Sequence, residues 1–177
     1  MSASILIKYH KTPFGELMLG SYENQICICD WRYRKMRPQI DKRILSQLQA
    51  EYKEGSNEVM EKAIIQVEEY FSGTRTQFDL PLLLIGSEFQ KTVWEALIAI
   101  PFGETNTYLG LSKDLNNEKA IRAVATANGA NAISIIVPCH RIIGSDGKLV
   151  GYAGGLATKK KLLELEGSWN PNQLSLF

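Results

Sequence analysis

The chain has 177 residues, 45% hydrophobic and 22% charged, with a formal net charge of +1. That length suits one good-sized domain or two small ones sharing an interface, and the near-zero charge excludes a uniformly basic surface built to coat nucleic acid. No apolar run approaches the ~20 residues of a membrane span, and the first residues lack the pattern of a secretory leader, so a cytosolic, monomeric protein without membrane contact is expected.

Residues 4–10, 15–21 and 25–31 alternate as short antiparallel strands, separated by Thr-Pro-Phe-Gly and Tyr-Glu-Asn turns. The third contains Cys27 and Cys29, two apart and therefore expected on one face of the sheet. No second Cys or His pair lies at finger-like spacing, although His10 could join them, so they read as two small buried thiols and not as zinc ligands. Asp41 is expected to open a helix carrying Ile44, Leu45 and Leu48. Asn57 opens another, with Met60, Ile64, Val67 and Phe71 forming an apolar stripe and Gly73 ending it. Residues 74–86 form a connector, which places a soft boundary between an N-terminal unit, 1–86, and a C-terminal unit, 87–167.

The second unit changes character. Ser87-Glu-Phe-Gln90 is a capping box, so a helix starts at Glu88 and runs through Val93, Trp94 and Leu97 towards Pro101. Helices over 108–115 and 118–128, broken at Asn116-Asn117, make a helix-turn-helix candidate. On the second of these, Ala120, Ala123, Ala127 and then Gly129 form a small-residue side, while Ile121, Val124 and Ala125 are expected to face the core. The β-branched run 133–137 reads as a strand that stops at Pro138, because proline gives no amide hydrogen to a ladder. A last helix is expected over 156–166, ended by Gly167. The fold class is thus α+β: a small antiparallel-sheet unit with helices, and a helical unit with a helix-turn-helix and a cysteine loop.

Chemistry concentrates in Val137-Pro-Cys-His-Arg-Ile-Ile143. A thiol just past a strand end, beside an imidazole, fits a cysteine nucleophile whose proton the imidazole takes, directly or through a water, with a carboxylate orienting the ring. The Cys139-His140 pair on its own reads first as a buried Cys beside a surface His, since neighbouring side chains on extended backbone point apart.

Three stretches, Arg122-Ala-Val-Ala-Thr-Ala-Asn-Gly-Ala-Asn131, the cysteine segment through Gly144, and Gly151-Tyr-Ala-Gly-Gly-Leu156, together with Pro101-Phe-Gly-Glu-Thr-Asn-Thr-Tyr108 and Leu165-Glu-Gly167, resemble the 6-O-alkylguanine-DNA alkyltransferase family. The resemblance covers residues 88–167 and extends only in outline to the first 85. It implies repair of 6-O-alkylguanine, with 4-O-alkylthymine as an optional second lesion, in double-stranded DNA held through the minor groove. The alkyl group would pass irreversibly to Cys139 after the base is flipped, with no cofactor and no metal. By the same resemblance His140 is the base acting through a water, Glu166 its carboxylate partner, and Asn131 the brace of the cysteine turn. Tyr108 sits at the pocket near the rotating phosphate, and Arg122 fills the gap left in the base stack. Ala123, Ala127, Asn128 and Arg141 join Arg122 and Tyr108 on the DNA side, and Tyr152, Ala153 and Gly154 wall the base pocket. Outside that resemblance, Arg122 reads as a solvated helix residue and the alanines as good helix formers. The run Lys159-Lys-Lys161 reads as an exposed face with a phosphate contact as its functional option. Ala132 stands where the family often has Pro, and no separate phosphotriester-sensing domain is recognisable.

Two other readings compete. A non-catalytic lesion sensor would lack the acceptor cysteine, which is present here, and a cysteine hydrolase would need an oxyanion hole for which the sequence has no signature. After Gly167, the segment 168–177 ends in Gln173-Leu-Ser-Leu-Phe177, which resembles the pentapeptide that binds the bacterial DNA polymerase sliding clamp. Folding back onto the chain's own surface is the competing reading for Gln173, Leu174, Ser175, Leu176 and Phe177.

Overall fold

Residues 15–31 make a hairpin because Glu23 and Asn24 both take left-handed backbone, with φ of 48° and 60°, as a two-residue turn between twisted strands requires. In the computed structural model, which describes residues 2–169, β1 (Ala3–Thr12), β2 (Gly15–Tyr22) and β3 (Gln25–Trp31) form an antiparallel meander. A fourth strand, β4 (Ala50–Glu54), adds parallel to β1, giving the order β3-β2-β1-β4. That strand was not foreseen, since its charged AEYKE sequence has no apolar alternation.

Cys27 and Cys29 do not share a face. The β2–β3 register jumps from Gly20↔Ile28 to Ser21↔Ile26, which leaves Cys27 as the extra residue of a β-bulge. Cys27 and Ile28 consequently pack with Ile5, Ile7, Met18, Ile40 and Ile44, while Ile26, Cys29 and Trp31 join the core on the other side. Gly20 is needed opposite the bulge, where a Cβ would come within 2.9 Å of Ile28.

Helix α1 (Arg37–Leu48) begins four residues before the expected Asp41, with Pro38 in its first turn, where a missing amide hydrogen costs nothing. Helix α2 (Glu58–Phe71) is capped by Asn57, whose side chain accepts from the Met60 amide, and Gly73 follows it at a φ of 78°. Its buried stripe of Met60, Ala63, Ile64, Val67 and Tyr70 covers the sheet. Truncating Met60 to Ala would cost about 2–5 kcal/mol through lost transfer energy and the cavity left behind.

The capping box at Ser87 and Gln90 starts α3 (Glu88–Ile98). Helix α4 (Tyr108–Asp114), a 3-10 turn (Glu118–Ala120) and α5 (Ile121–Gly129) supply the helix-turn-helix, followed by α6 (Leu156–Leu165). Two short parallel strands, β5 (Asn106–Thr107) and β6 (Ile142–Ile143), tie the start of α4 to the residues after the cysteine.

The run 133–137 is not a strand. It makes a single bridge, Cys29↔Ile133, then turns back so that the Val137 amide donates to the Ile133 carbonyl at 2.9 Å. Ile135 is forced to a φ of 72°, a strained value for a β-branched residue. The free edge of β3 is covered by the connector and this segment together: Ile26 N donates to Pro81 O at 2.8 Å and Cys29 N to Ala132 O at 2.9 Å. The larger core cluster draws on β2, β3 and α2 as well as α3, α5 and α6, so both halves of the chain share one interior.

Candidate active site

Pro138 ends the turn and a 3-10 segment (Cys139–Arg141) follows, with Cys139, His140 and Arg141 all buried. Asn131 staples the ends of this turn together. Its Nδ2 donates to Val137 O at 2.9 Å, and its Oδ1 accepts from the Ile133 amide at 2.9 Å. Burial raises the pKa of the Cys139 thiol, a hydrogen bond with Asn131 opposes that in part, and the resting sulfur therefore keeps its proton.

His140 is fully buried and its Nε2 lies 2.6 Å from Glu166 Oε1. Burial would raise the carboxyl's pKa, but the hydrogen bonds and charges of His140 and Arg141 outweigh it and bring Glu166 down to about 2. An ionised carboxylate can only accept, so Nε2 carries the hydrogen and Nδ1 is left as the ring's basic atom. Burial lowers the His140 pKa despite the opposing pull of Glu166, so the ring is neutral at neutral pH. Nδ1 is buried and has no hydrogen-bond partner among the described residues.

Glu166, the residue capping the C-terminus of α6, accepts three further hydrogen bonds in a small space. Tyr70 donates to Oε1 at 2.7 Å, Arg141 Nη2 to Oε1 at 3.0 Å, and Arg141 Nε to Oε2 at 2.9 Å. Gly103 packs beside the same residue, where a Cβ would be 3.2 Å from Glu166 O. Arg141 is therefore not on a DNA-facing surface. The 3-10 turn points it inward, where it pairs with Glu166 and donates to Ile100 O at 2.6 Å.

Cys139 belongs to the lining of a cavity of about 260 Å³ that also includes Tyr108, Asn128, Asn131, Tyr152 and Ala153. The Tyr108 hydroxyl donates to Val150 O at 3.2 Å, and Tyr152 accepts from Trp31 Nε1 at 3.0 Å. Burial raises both phenols, so both stay protonated. Gly154 is not in this wall. It lies against the Trp31 ring, where a Cβ would come within 2.8 Å of Nε1.

On α5, Arg122 and Ala123 are exposed, and Asn128 is buried but lines the cavity. Ala127 does not reach the surface: it is 2% exposed, and its carbonyl accepts from Trp94 Nε1 at 2.8 Å. The inward face of the helix is Val124, Ala127 and Asn128, so Ile121, expected in the core, is instead exposed. Lys159 also departs from expectation. It is fully buried, its Nζ donates to Val150 O at 3.0 Å and Gly151 O at 3.1 Å, and burial lowers its pKa to about 8. Lys160 and Lys161 are exposed.

Three residues lining the cavity, Arg34, Lys35 and Met36, come from the N-terminal half and were missed. The basic run Arg32-Tyr-Arg-Lys-Met-Arg37 was the available signal. Tyr70 had no signal beyond its place in an apolar stripe. Residues 173–177, with the clamp-like pentapeptide, lie outside the described residues.

Residues 88–168 match the family model for the 6-O-methylguanine DNA methyltransferase DNA binding domain, and residues 5–84 match the model for the ribonuclease-like domain of 6-O-methylguanine DNA methyltransferase. A methylated-DNA–protein-cysteine methyltransferase of Methanosarcina acetivorans is 54% identical over 113 residues, covering 64% of this chain and 72% of that protein. The crystal structure of Mycobacterium tuberculosis O6-methylguanine methyltransferase superposes with a TM-score of 0.78 at 38% identity, covering 98% of this chain and 99% of that one. The Mycobacterium tuberculosis OGT in complex with DNA also gives a TM-score of 0.78, at 37% identity and with the same coverage.

Proposed function

The chain belongs to the 6-O-methylguanine DNA methyltransferase family, and on that premise we propose that it repairs alkylated DNA as a methylated-DNA–protein-cysteine methyltransferase, taking the alkyl group onto Cys139. The observation that carries this reading is Cys139 in the lining of a base-sized cavity, directly followed by His140 with its Nε2 locked on Glu166. A duplex presents guanine O6 inside the stack, so the lesion has to be flipped into the cavity at a cost of a few kcal/mol. Arg122, exposed and at the start of α5, fills the vacated space, and the exposed small side chain of Ala123 lets the helix approach a minor groove.

Transfer then runs in one displacement. His140 Nδ1 takes the Cys139 proton through a water, and the Sγ thiolate attacks the alkyl carbon. The S–C bond forms as the C–O bond breaks, and the electron pair leaves on guanine O6. The guanine released takes up one proton, equal in the overall balance to the one the thiol lost, and the Tyr108 hydroxyl is the donor facing it. Glu166 stabilises the imidazolium that forms, as a buried carboxylate does for any His base. A thioether is not undone by reduction, so each chain acts once, and no cofactor enters the balance. The same chemistry extends to 4-O-alkylthymine if the cavity admits the smaller ring. The protein acts as a monomer in the cytoplasm.

Intact mass after incubation with an oligonucleotide bearing one 6-O-methylguanine tests this directly. One methyl per chain, mapped to Cys139 and absent from Cys139→Ser, is the expected result. Tight lesion binding without a mass change would make the protein a sensor, and release of product with turnover would make it a hydrolase.

A further inference from the structure

Two arginines of the N-terminal half reach across the molecule to one place, the carbonyl end of α5. Arg34 Nη2 donates to Gly129 O and its Nη1 to Asn131 O at 2.9 Å, while Arg43 Nη2 donates to Ala130 O at 2.9 Å. Three consecutive carbonyls thus each hold a guanidinium donor. The last carbonyls of a helix have no intrahelical donor and carry the negative end of its dipole, so cations there are doubly favoured. A planar guanidinium fork can span two carbonyls at once, which an ammonium cannot.

The arginines are themselves anchored. Arg34 Nη1 meets both oxygens of Asp30, at 3.2 and 3.0 Å, and Arg43 lies over the Trp94 ring at 5.2 Å. Asp30, fully buried at the end of β3, also accepts from Arg37 at 3.0 Å and from the Ser134 hydroxyl at 3.0 Å. One carboxylate therefore ties the sheet both to the arginines and to the turn that leads to the cysteine. Residues 129–131 are the joint between α5, which carries Arg122, and that turn, since Asn131 grips Val137 O. Arg34 lines the same cavity as Cys139, whereas Arg43 does not.

We propose that Arg34 and Arg43 are positioning residues: from the N-terminal half they fix the joint between α5 and the Cys139 turn, holding the DNA-facing helix in register with the acceptor thiol. The consequence for rate rests on the alkyl-transfer reading above. The consequence for local order does not.

The test compares wild type with Arg43→Gln, which lies outside the cavity, and with Arg34→Lys, which keeps the charge but not the fork. Two readouts are taken well below each variant's Tm. Amide hydrogen exchange over residues 128–137 is expected to speed up about tenfold or more, with β1, β2 and α6 unchanged. Single-turnover transfer from a 6-O-methylguanine duplex is expected to fall roughly tenfold or more, while transfer from free 6-O-benzylguanine, which needs the cavity but no helix-DNA contact, falls by no more than about threefold for Arg43→Gln. Exchange that is unchanged at the joint, or raised evenly across the chain, overturns the proposal. So does an equal loss from both substrates. If wild type transfers from neither substrate, the alkyl-transfer reading has failed, and the exchange pattern still decides whether the two arginines hold the joint.

Discussion

Tyr70, on α2 of the N-terminal half, donates its hydroxyl to Glu166 Oε1 at 2.7 Å, the same oxygen that faces His140 Nε2 at 2.6 Å. The two are 96 residues apart, and the ring of Tyr70 is fully buried, with Phe71, Phe78 and Phe102 around it. A third donor on one carboxylate oxygen draws charge away from the His140 contact but also fixes where that oxygen sits. Tyr70→Phe keeps the packing and removes only the donor. It is expected to lower stability by about 1.5–3 kcal/mol, the range for a hydrogen bond to a charged group, and to slow transfer about three- to tenfold through a looser carboxylate. Urea unfolding and single-turnover rates check the two effects, and a rate equal to wild type would confine Tyr70 to packing.

The Glu166 and His140 shifts set the acid behaviour. Glu166 is held at about 2 against an ordinary 4.5, so the folded state resists protonation more than the unfolded one. Its contribution, on the order of 3 kcal/mol, is present above pH 4.5 and is lost as pH falls through about 2. His140 is also depressed, from 6.5, so the unfolded chain gains a proton there first and stability declines as pH drops below about 6.5. With neutral His140 as the proposed proton acceptor, the acid limb of the transfer rate falls below pH 6.5. Unfolding free energies and single-turnover rates between pH 5 and 7.5 are expected to be flat down to about 6.5. An acid limb above that value would show that His140 is not the group titrating.

The pentapeptide Gln173-Leu-Ser-Leu-Phe177 makes a separable prediction. Three apolar anchors on a terminal segment suit a preformed groove on a partner. Deleting residues 173–177 is expected to abolish capture of the protein by an immobilised bacterial sliding clamp and to leave alkyl transfer unchanged. Equal capture of full-length and shortened chains would remove the clamp as a partner of this segment.

What could be read in advance was what local chemistry dictates. Asn57, Ser87 with Gln90, and Gly73 each act on amides or carbonyls a few residues away, so their caps and stops were visible in the sequence. The Cys139, His140 and Glu166 constellation came through family resemblance, and the distances among side chains came only with the fold. The misreadings share one cause. Lys159 and the two thiols of β3 were placed by charge or periodicity, and Arg141 and Ala127 by the resemblance. Each is decided by something outside its own segment: Glu166 for Arg141, Trp94 for Ala127, the Val150 and Gly151 carbonyls for Lys159, and a one-residue bulge for the thiols. The run 133–137 has strand-forming residues but only Cys29 to pair with, so it folds onto Asn131 and Asp30 instead. The carbonyl contacts of Arg34 and Arg43 were illegible for the same reason, with partners 87 to 97 residues away, although the basic run around Arg34 was visible.

Arg122 offers the sharpest discrimination on the DNA side. It is exposed near the start of α5 and makes no ion pair among the described residues, so its guanidinium is free to act on a ligand. A gap-filling residue and a phosphate contact both weaken binding when removed, but they differ in salt dependence. Neutralising one phosphate changes the slope of log K against log salt by about 0.9, whereas stacking in the vacated space releases no counterion. Arg122→Ala is expected to slow transfer from a lesion duplex roughly ten- to a hundredfold, matching ~1.4–2.8 kcal/mol of lost support for the flipped state. Transfer from free 6-O-benzylguanine should stay within about twofold, because the cavity and the thiol are untouched. The salt slope for duplex binding should be that of wild type. A slope lower by about one unit would reassign Arg122 to the phosphate backbone, and an equal loss from the free base would place it in the chemistry of the cavity itself.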